Sequence, residues 1–269
     1  MVALRRDIVF KRIISSVIGI PLLIIILLKG GGYIYMSTML ITLVGLREFY
    51  NAMKFKKHSL TSFIGYAYTI LILTVFHFRL DPIYFLGLIA SFIVIINAMQ
   101  LGTSEYNINE GSLAIYGVQY VAVLLGHIIL TAGLPNDKAV WLIFIIAWST
   151  DTFAYFGGFL WGNKKLCPKI SPKKTIEGAI SGIIGSMLVC AIFSYIFFAN
   201  YILIFALLGA VGSVVSQVGD LAASQIKRQV GIKDYGNLIP GHGGILDRFD
   251  SVIFTAPVVY YFFILFIKL

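Results

Sequence analysis

Apolar stretches of about 20 residues, the length that crosses a ~30 Å hydrocarbon core as a helix, follow one another along this 269-residue chain. Few folds accept that pattern. In lipid every backbone N–H and C=O must find its partner inside the protein, so only helices and closed barrels span. Barrel strands are short and alternate between apolar and polar residues, whereas these runs are long and continuous. Only 12% of the residues are charged, against about 25% in soluble domains. The sequence therefore predicts an all-α, polytopic integral membrane protein. About nine transmembrane helices are expected, near 13–28, 33–52, 60–78, 82–98, 113–133, 139–161, 176–197, 201–219 and 251–267. The first is short and the second carries Arg47 and Glu48 near its end, so a broken or interfacial segment is expected there. The helices divide into an N-terminal set (1–135) and a C-terminal set (136–269) carrying the polar chemistry, with one continuous membrane domain as the alternative.

Charge orients this map. Arg5, Arg6, Lys11 and Arg12 precede an apolar run as in a signal peptide, but no small-x-small cleavage site follows, so the segment reads as a retained first helix. With the N-terminus in the cytoplasm, all 21 basic residues except Lys29, Arg79, Lys138 and Lys268 fall on the cytoplasmic side. That asymmetry is the positive-inside pattern. It also accounts for the net charge of +9, with anionic lipid rather than nucleic acid as the partner surface. Lys54, Lys56 and Lys57 need no further explanation than this. Cys167 and Cys190 lack CxxC spacing, so neither a zinc site nor a disulfide framework is indicated.

Two cytoplasmic segments are more than connectors. Residues 162–177 carry five lysines and two prolines, and residues 220–250 form the longest polar stretch. The chain has only twelve acidic residues, and carboxylates near hydrocarbon are costly. Asp151 lies inside the sixth expected span, while Glu177, Asp220, Asp247 and Asp250 fall at helix ends or loop junctions. Carboxylates gathered at one depth suit a hard cation such as magnesium, which takes oxygen ligands and keeps waters and substrate phosphates. The plainer alternative is helix capping, which competes most strongly at Asp250, or a hydrogen bond from Ser149 or Thr152 to a buried Asp151. Asp220, Ser224, Lys227 and Arg228 are spaced to share a helical face, and Lys233 and Arg248 lie close in sequence. Such interleaving suits polyphosphate chemistry, where catalysis is mainly positioning and charge neutralisation.

Pro240-Gly241-His242-Gly243-Gly244 reads as a flexible turn whose backbone N–H groups could cradle an anion. His58, His77 and His127 are scattered and read as packing or interfacial residues. Gly157 and Gly162 fail the phosphate-loop pattern, because Asn163 stands where its lysine should be. Gly178, Gly182 and Ser186, with Ser181 and Gly185, form a small-residue stripe suited to close helix packing.

The string Ser224–Asp250, SQIKRQVGIKDYGNLIPGHGGILDRFD, closely resembles the signature of the phosphatidate cytidylyltransferases, or CDP-diacylglycerol synthases. The resemblance lies in Ser224, Lys227-Arg228, Lys233-Asp234, His242-Gly243-Gly244, Asp247-Arg248 and Asp250, in matching order and spacing. The segments SPKKTIEG (Ser171–Gly178) and STDTFAYFGG around Asp151 are similar to that family too. The resemblance implies an enzyme that condenses CTP with phosphatidic acid, giving CDP-diacylglycerol and pyrophosphate with Mg2+, a second metal ion being open. It implies metal binding by Asp220, Asp247 and Asp250, with Asp151 contributing. Asp247, Asp250, Lys227 and Arg248 are then the catalytic set, and Lys227, Arg228, Lys233 and Arg248 hold phosphates. Lys173, Lys174, Ser224, His242, Gly243 and Gly244 complete the substrate-binding set. The location implied is the inner (plasma) membrane, multi-pass, with the site facing the cytoplasm and the bilayer as partner. The small-residue stripe permits a homodimer.

Two other classes stay in view. A cation-coupled transporter could use Asp151 and Asp220 as ion ligands, but it predicts two related halves with paired broken helices, and no such symmetry is seen. A CDP-alcohol phosphotransferase resembles a different pattern of paired aspartates that this sequence lacks. A purely structural membrane protein leaves the charged stretch unexplained.

Overall fold

Among the described residues of the computed structural model, seven helices are long and apolar enough to cross a bilayer: Leu60–His77, Pro82–Met99, Ile108–Ala132, Ala139–Trp161, Ile176–Phe197, Ala199–Gln229 and Leu246–Phe266. The structure describes residues 2–55, 59–101 and 108–267, so Lys56, Lys57, His58 and Lys268 lie outside the described residues. The two expected spans missing from the seven are the doubtful pair. Helix α1 (Val2–Lys29) contains a shorter apolar stretch, Ser15–Lys29, and α2 (Gly31–Ala52) carries Arg47 and Glu48 in its last turns. The chain is accordingly an all-α polytopic membrane protein. Its helices resolve into two units, one of residues 1–133 with 234–248, the other of residues 134–233 with 249–269.

The first unit holds α1, α2, α3 (Leu60–His77), α4 (Pro82–Leu101), α5 (Ile108–Gly117) and α6 (Leu124–Ala132). A π-helical segment, Val118–Val123, joins α5 to α6 within one span. The core forms where α2, α3 and the π segment meet, around the buried Leu46, Phe49, Ile72, Leu73, Val118 and Val121. Gly45 is needed on α2 because a Cβ there would already touch Val121 and Leu246. The Tyr50 hydroxyl donates to the Ala114 carbonyl at 3.3 Å. His77 stacks on Tyr35, and His127 Nδ1 lies 2.8 Å from the Val123 carbonyl. Both therefore serve packing, as the sequence suggests.

The second unit holds α7 (Ala139–Trp161), a two-stranded antiparallel hairpin of β1 (Lys165–Cys167) and β2 (Ser171–Thr175), α8 (Ile176–Phe197), α9 (Ile202–Gln229) and most of α10 (Leu246–Phe266). Lipid supplies no hydrophobic force between helices, so close backbone approach through small residues decides which of them pack. The stripe on α8 is used inside the chain in this way. A Cβ at Gly178 would stand 2.7 Å from the Ala154 carbonyl oxygen of α7. On the other side, Gly209 of α9 rides over Ser186, where a Cβ would stand 2.6 Å from its carbonyl oxygen. At the far end Phe198, Phe205, Phe262 and Phe263 interlock as stacked and edge-on rings.

Candidate active site

A cleft of about 440 Å³ opens in the second unit, lined on its polar side by Asp151, Lys173, Lys174, Gln217 and Asp220. Each wall has a local cause. Thr175 caps α8 by accepting from the Gly178 N–H at 3.1 Å, satisfying a donor that a helix start leaves open. Two residues on, the Glu177 carboxylate accepts from the N–H groups of Asn163 and Lys164 at 3.1 and 3.2 Å. The loop after α7 is thereby folded back onto the start of α8. The hairpin closes with Lys165 opposite Thr175 and Cys167 opposite Ser171, and its returning strand carries Lys173 and Lys174 to the cleft.

Charge is paired across this cleft. Lys174 Nζ lies 2.5 Å from Asp220 Oδ2, with both side chains about a quarter exposed. The Ser224 hydroxyl, one turn along α9, donates to Asp220 Oδ1 at 3.3 Å. Lys227, a further turn on, is buried. Asp250 accepts from the Ser251 N–H at 2.8 Å, and the charged groups whose fields reach it are Asp220, Lys227 and Asp151. The shared helical face expected for Asp220, Ser224, Lys227 and Arg228 stops short of its last member. Arg228 is exposed and donates to the Ile232 carbonyl at 3.0 Å, closing the end of α9, and Lys233 is exposed beyond it.

The signature loop, Asp234–Arg248, belongs to the first unit, and its order comes from two carboxylates. Asp247 is buried, with Oδ2 accepting from the N–H groups of Tyr235 at 2.8 Å and Gly244 at 3.0 Å. Glu48, also buried, accepts from Ile245 N–H at 3.0 Å and Leu246 N–H at 2.8 Å. Between them a tight turn runs over Pro240-Gly241-His242. It is closed by Ile239 N–H to Gly243 O and His242 N–H to Ile239 O, both 2.9 Å, with Gly241 and Gly243 at φ 78° and 87°. The His242 ring is anchored as well, its Nδ1 2.7 Å from the Ser15 hydroxyl.

This changes the reading of the glycine turn. The N–H groups of residues 242 and 244–246 are taken by the chain's own acceptors, so those donors are not presented to an anion. Asp247 sits in that network with one oxygen committed, and Arg248 beside it is exposed. The capping alternative at Asp250 also changes. Helix α10 begins at Leu246, and the donors at its start go to Glu48. Sequence reasoning missed Glu48 as a site residue. The available signal was a carboxylate near the end of an apolar run, a costly placement.

The donor chemistry suits a hard cation, since Asp151, Asp220 and Asp250 offer oxygen only. Among the described residues no group of three or more His, Cys, Asp or Glu side chains closes into a ready metal cage. In its place the Lys174 ammonium is the cation on Asp220.

Comparison with known proteins gives a single direction. Residues 10–266 match the cytidylyltransferase family. The phosphatidate cytidylyltransferase of Staphylococcus epidermidis is 34% identical over 251 residues, covering 92% of this chain and 96% of the relative. The phosphatidate cytidylyltransferase of Staphylococcus aureus is 32% identical over 253 residues, with the same coverage of both chains. That of Rickettsia bellii is 38% identical over 180 residues, covering 63% of this chain and 78% of the relative.

Proposed function

Because the chain belongs to the cytidylyltransferase family, we propose that it condenses CTP with phosphatidic acid to give CDP-diacylglycerol and pyrophosphate. A phosphate oxygen of the lipid attacks the α-phosphorus of CTP, and the bond to the β-phosphate oxygen breaks. Pyrophosphate leaves with the electron pair. The lipid phosphate is already an anionic nucleophile, so no strong protein base is required. The obstacle is electrostatic, one anion approaching another. Positioned opposite charge is the remedy.

The observation that carries this reading is the cleft in which two lysines and two aspartates share one polar wall. Lys174 serves as an exchangeable partner, releasing Asp220 as it turns to an incoming phosphate, while the exposed Lys173 meets the phosphate from the rim. Ser224 keeps the Asp220 carboxylate oriented during the exchange. Lys227, buried and within the field of Asp250, holds positive charge where it is little screened by solvent. Arg228 has one nitrogen committed to the end of α9, so its remaining donors, with Lys233 and Arg248, serve phosphates from exposed positions.

Magnesium would find oxygen-only donors in Asp151, Asp220 and Asp250 of the second unit and would neutralise phosphate charge when bound there. Asp247 keeps a proposed metal role beside the two loop amides that its Oδ2 accepts. The charge asymmetry of the loops supports a site on the cytoplasmic face of the plasma membrane, where a water-soluble nucleotide meets a lipid headgroup.

The test is purified protein in lipid vesicles with phosphatidic acid and labelled CTP, with magnesium present or chelated. The expected result is CDP-diacylglycerol and pyrophosphate in equal amounts, lost with chelator and restored by Mg2+. A folded sample that forms neither product would overturn the assignment.

A further inference from the structure

Glu48 lies 197 residues before Ile245 in sequence, yet the signature loop is built on its side chain. It is 7% exposed, and its two oxygens accept the successive N–H groups of Ile245 and Leu246. These are donors that a helix start leaves without intrahelical partners. No Ser, Thr, Asp or Asn stands immediately before Leu246, where a local cap would be. The loop is also shaped to receive this carboxylate. A Cβ at Gly236 would stand 2.5 Å from Glu48 Oε1, and one at Gly244 would stand 2.6 Å from the carboxyl carbon. Those glycines leave the room in which the carboxylate sits, one on each side of the turn. Asp247 then closes the same loop from within, bonding Tyr235 and Gly244.

We propose that Glu48 is a positioning residue for cytidylyl transfer, the remote cap that holds the Gly236–Leu246 loop in the one conformation that sets Asp247 and Arg248 in place. It touches no reacting atom, and its effect on the reaction passes entirely through the loop. This inference rests on the proposed activity, and its test separates the two. Displacements of about 1 Å at a positioned group can lower a rate about a hundredfold, so a loosened loop registers in kcat before it registers in global stability.

The experiment compares the full-length protein in lipid with Glu48→Gln and Gly236→Ala. Glutamine keeps the size of the side chain but turns an amide N–H2 toward one of the two backbone donors. Alanine at 236 leaves Glu48 intact and displaces its carboxylate. Three quantities are read: kcat and KM for CTP and phosphatidic acid, the thermal midpoint, and amide hydrogen exchange across residues 235–248. Both variants are expected to lower kcat at least about tenfold with KM changed less than about threefold. Exchange at Ile245 and Leu246 should quicken by about tenfold, as the loss of a buried hydrogen bond implies, while the helices of the second unit stay protected. Wild-type exchange at Ile245 and Leu246 in Glu48→Gln would overturn the proposal, as would a fall in kcat with no change in the loop. If Glu48→Gln unfolds, Gly236→Ala decides by the same readouts. If the wild-type protein transfers no cytidylyl group, the proposed activity fails, and the exchange data still decide whether Glu48 holds the loop.

Discussion

Replacing Asp247 by asparagine and by alanine separates two things that this carboxylate does at once. Its Oδ2 accepts two backbone N–H groups, from Tyr235 at 2.8 Å and Gly244 at 3.0 Å, in a site only 4% exposed. A hydrogen bond to a charged group contributes about 1.5–3 kcal/mol, so about 3–6 kcal/mol rests on that one oxygen. Asparagine can set its carbonyl oxygen in the same place and keep both bonds in neutral form. Neutral bonds are roughly half as strong, so Asp247→Asn should cost about 1.5–3 kcal/mol and leave the loop closed. Alanine leaves both donors buried without an acceptor and forfeits the full amount, enough to open the loop in a protein of ordinary stability. Activity should divide differently. Asp247→Asn removes the charge while keeping the shape, and loss of a preorganised electrostatic group typically lowers kcat about 10²–10³-fold. The assay is cytidylyl transfer in vesicles, run beside thermal unfolding and amide exchange at Tyr235 and Gly244. Near-normal turnover of Asp247→Asn would show that its charge has no part in the reaction. Unchanged exchange at both amides in Asp247→Ala would refute the hydrogen-bond reasoning itself.

Two further expectations follow from the second unit. Lys174→Gln should raise KM for CTP or phosphatidic acid about tenfold while moving stability by less than about 1 kcal/mol, since part-exposed ion pairs contribute little to folding. Substrate titration and thermal unfolding together check this, and an unchanged KM for both substrates would remove Lys174 from the cleft's function. Gly178→Val should lower stability by about 1–3 kcal/mol through overpacking, because even its Cβ meets the Ala154 carbonyl and the Thr175 hydroxyl. A thermal midpoint equal to wild type would mean that α7 and α8 are not in such close contact.

What could be read in advance was set by the solvent, and what could not was set by long-range pairing. Apolar length locates the seven spanning helices, because lipid leaves a run of about 20 apolar residues no other structure. It locates their ends less well. Helix α9 continues to Gln229, ten residues past the expected boundary at 219, since hydropathy reports depth in the bilayer while polar residues such as Gln225 and Lys227 remain good helix formers. The hairpin at Lys165–Thr175 reads in sequence only as a lysine-rich loop, for its strands are too short to show alternation. Lys174 and Asp220 were both singled out by residue type, but their pairing joins a strand to a distant helix and leaves no local trace. Asp247 was legible as important, but its bonds to the Tyr235 and Gly244 amides were not, because a carboxylate that binds backbone looks, in sequence, like one that binds metal. Glu48 was hidden for the same reason at greater range. Nothing near residue 48 reports the two donors that arrive with residues 245 and 246.

That separation also sets an order of events in the cell. A ribosome delivers α2 to the membrane long before the signature loop exists, so the acceptor is made first and waits for its donors. Until residues 245 and 246 emerge, Glu48 is an acidic side chain at the end of an apolar helix with nothing to bind, and it must remain hydrated or protonated. A chain that stops before the loop keeps this vacancy open, because its carboxylate never meets the Ile245 and Leu246 amides. Completion of the last helix closes it.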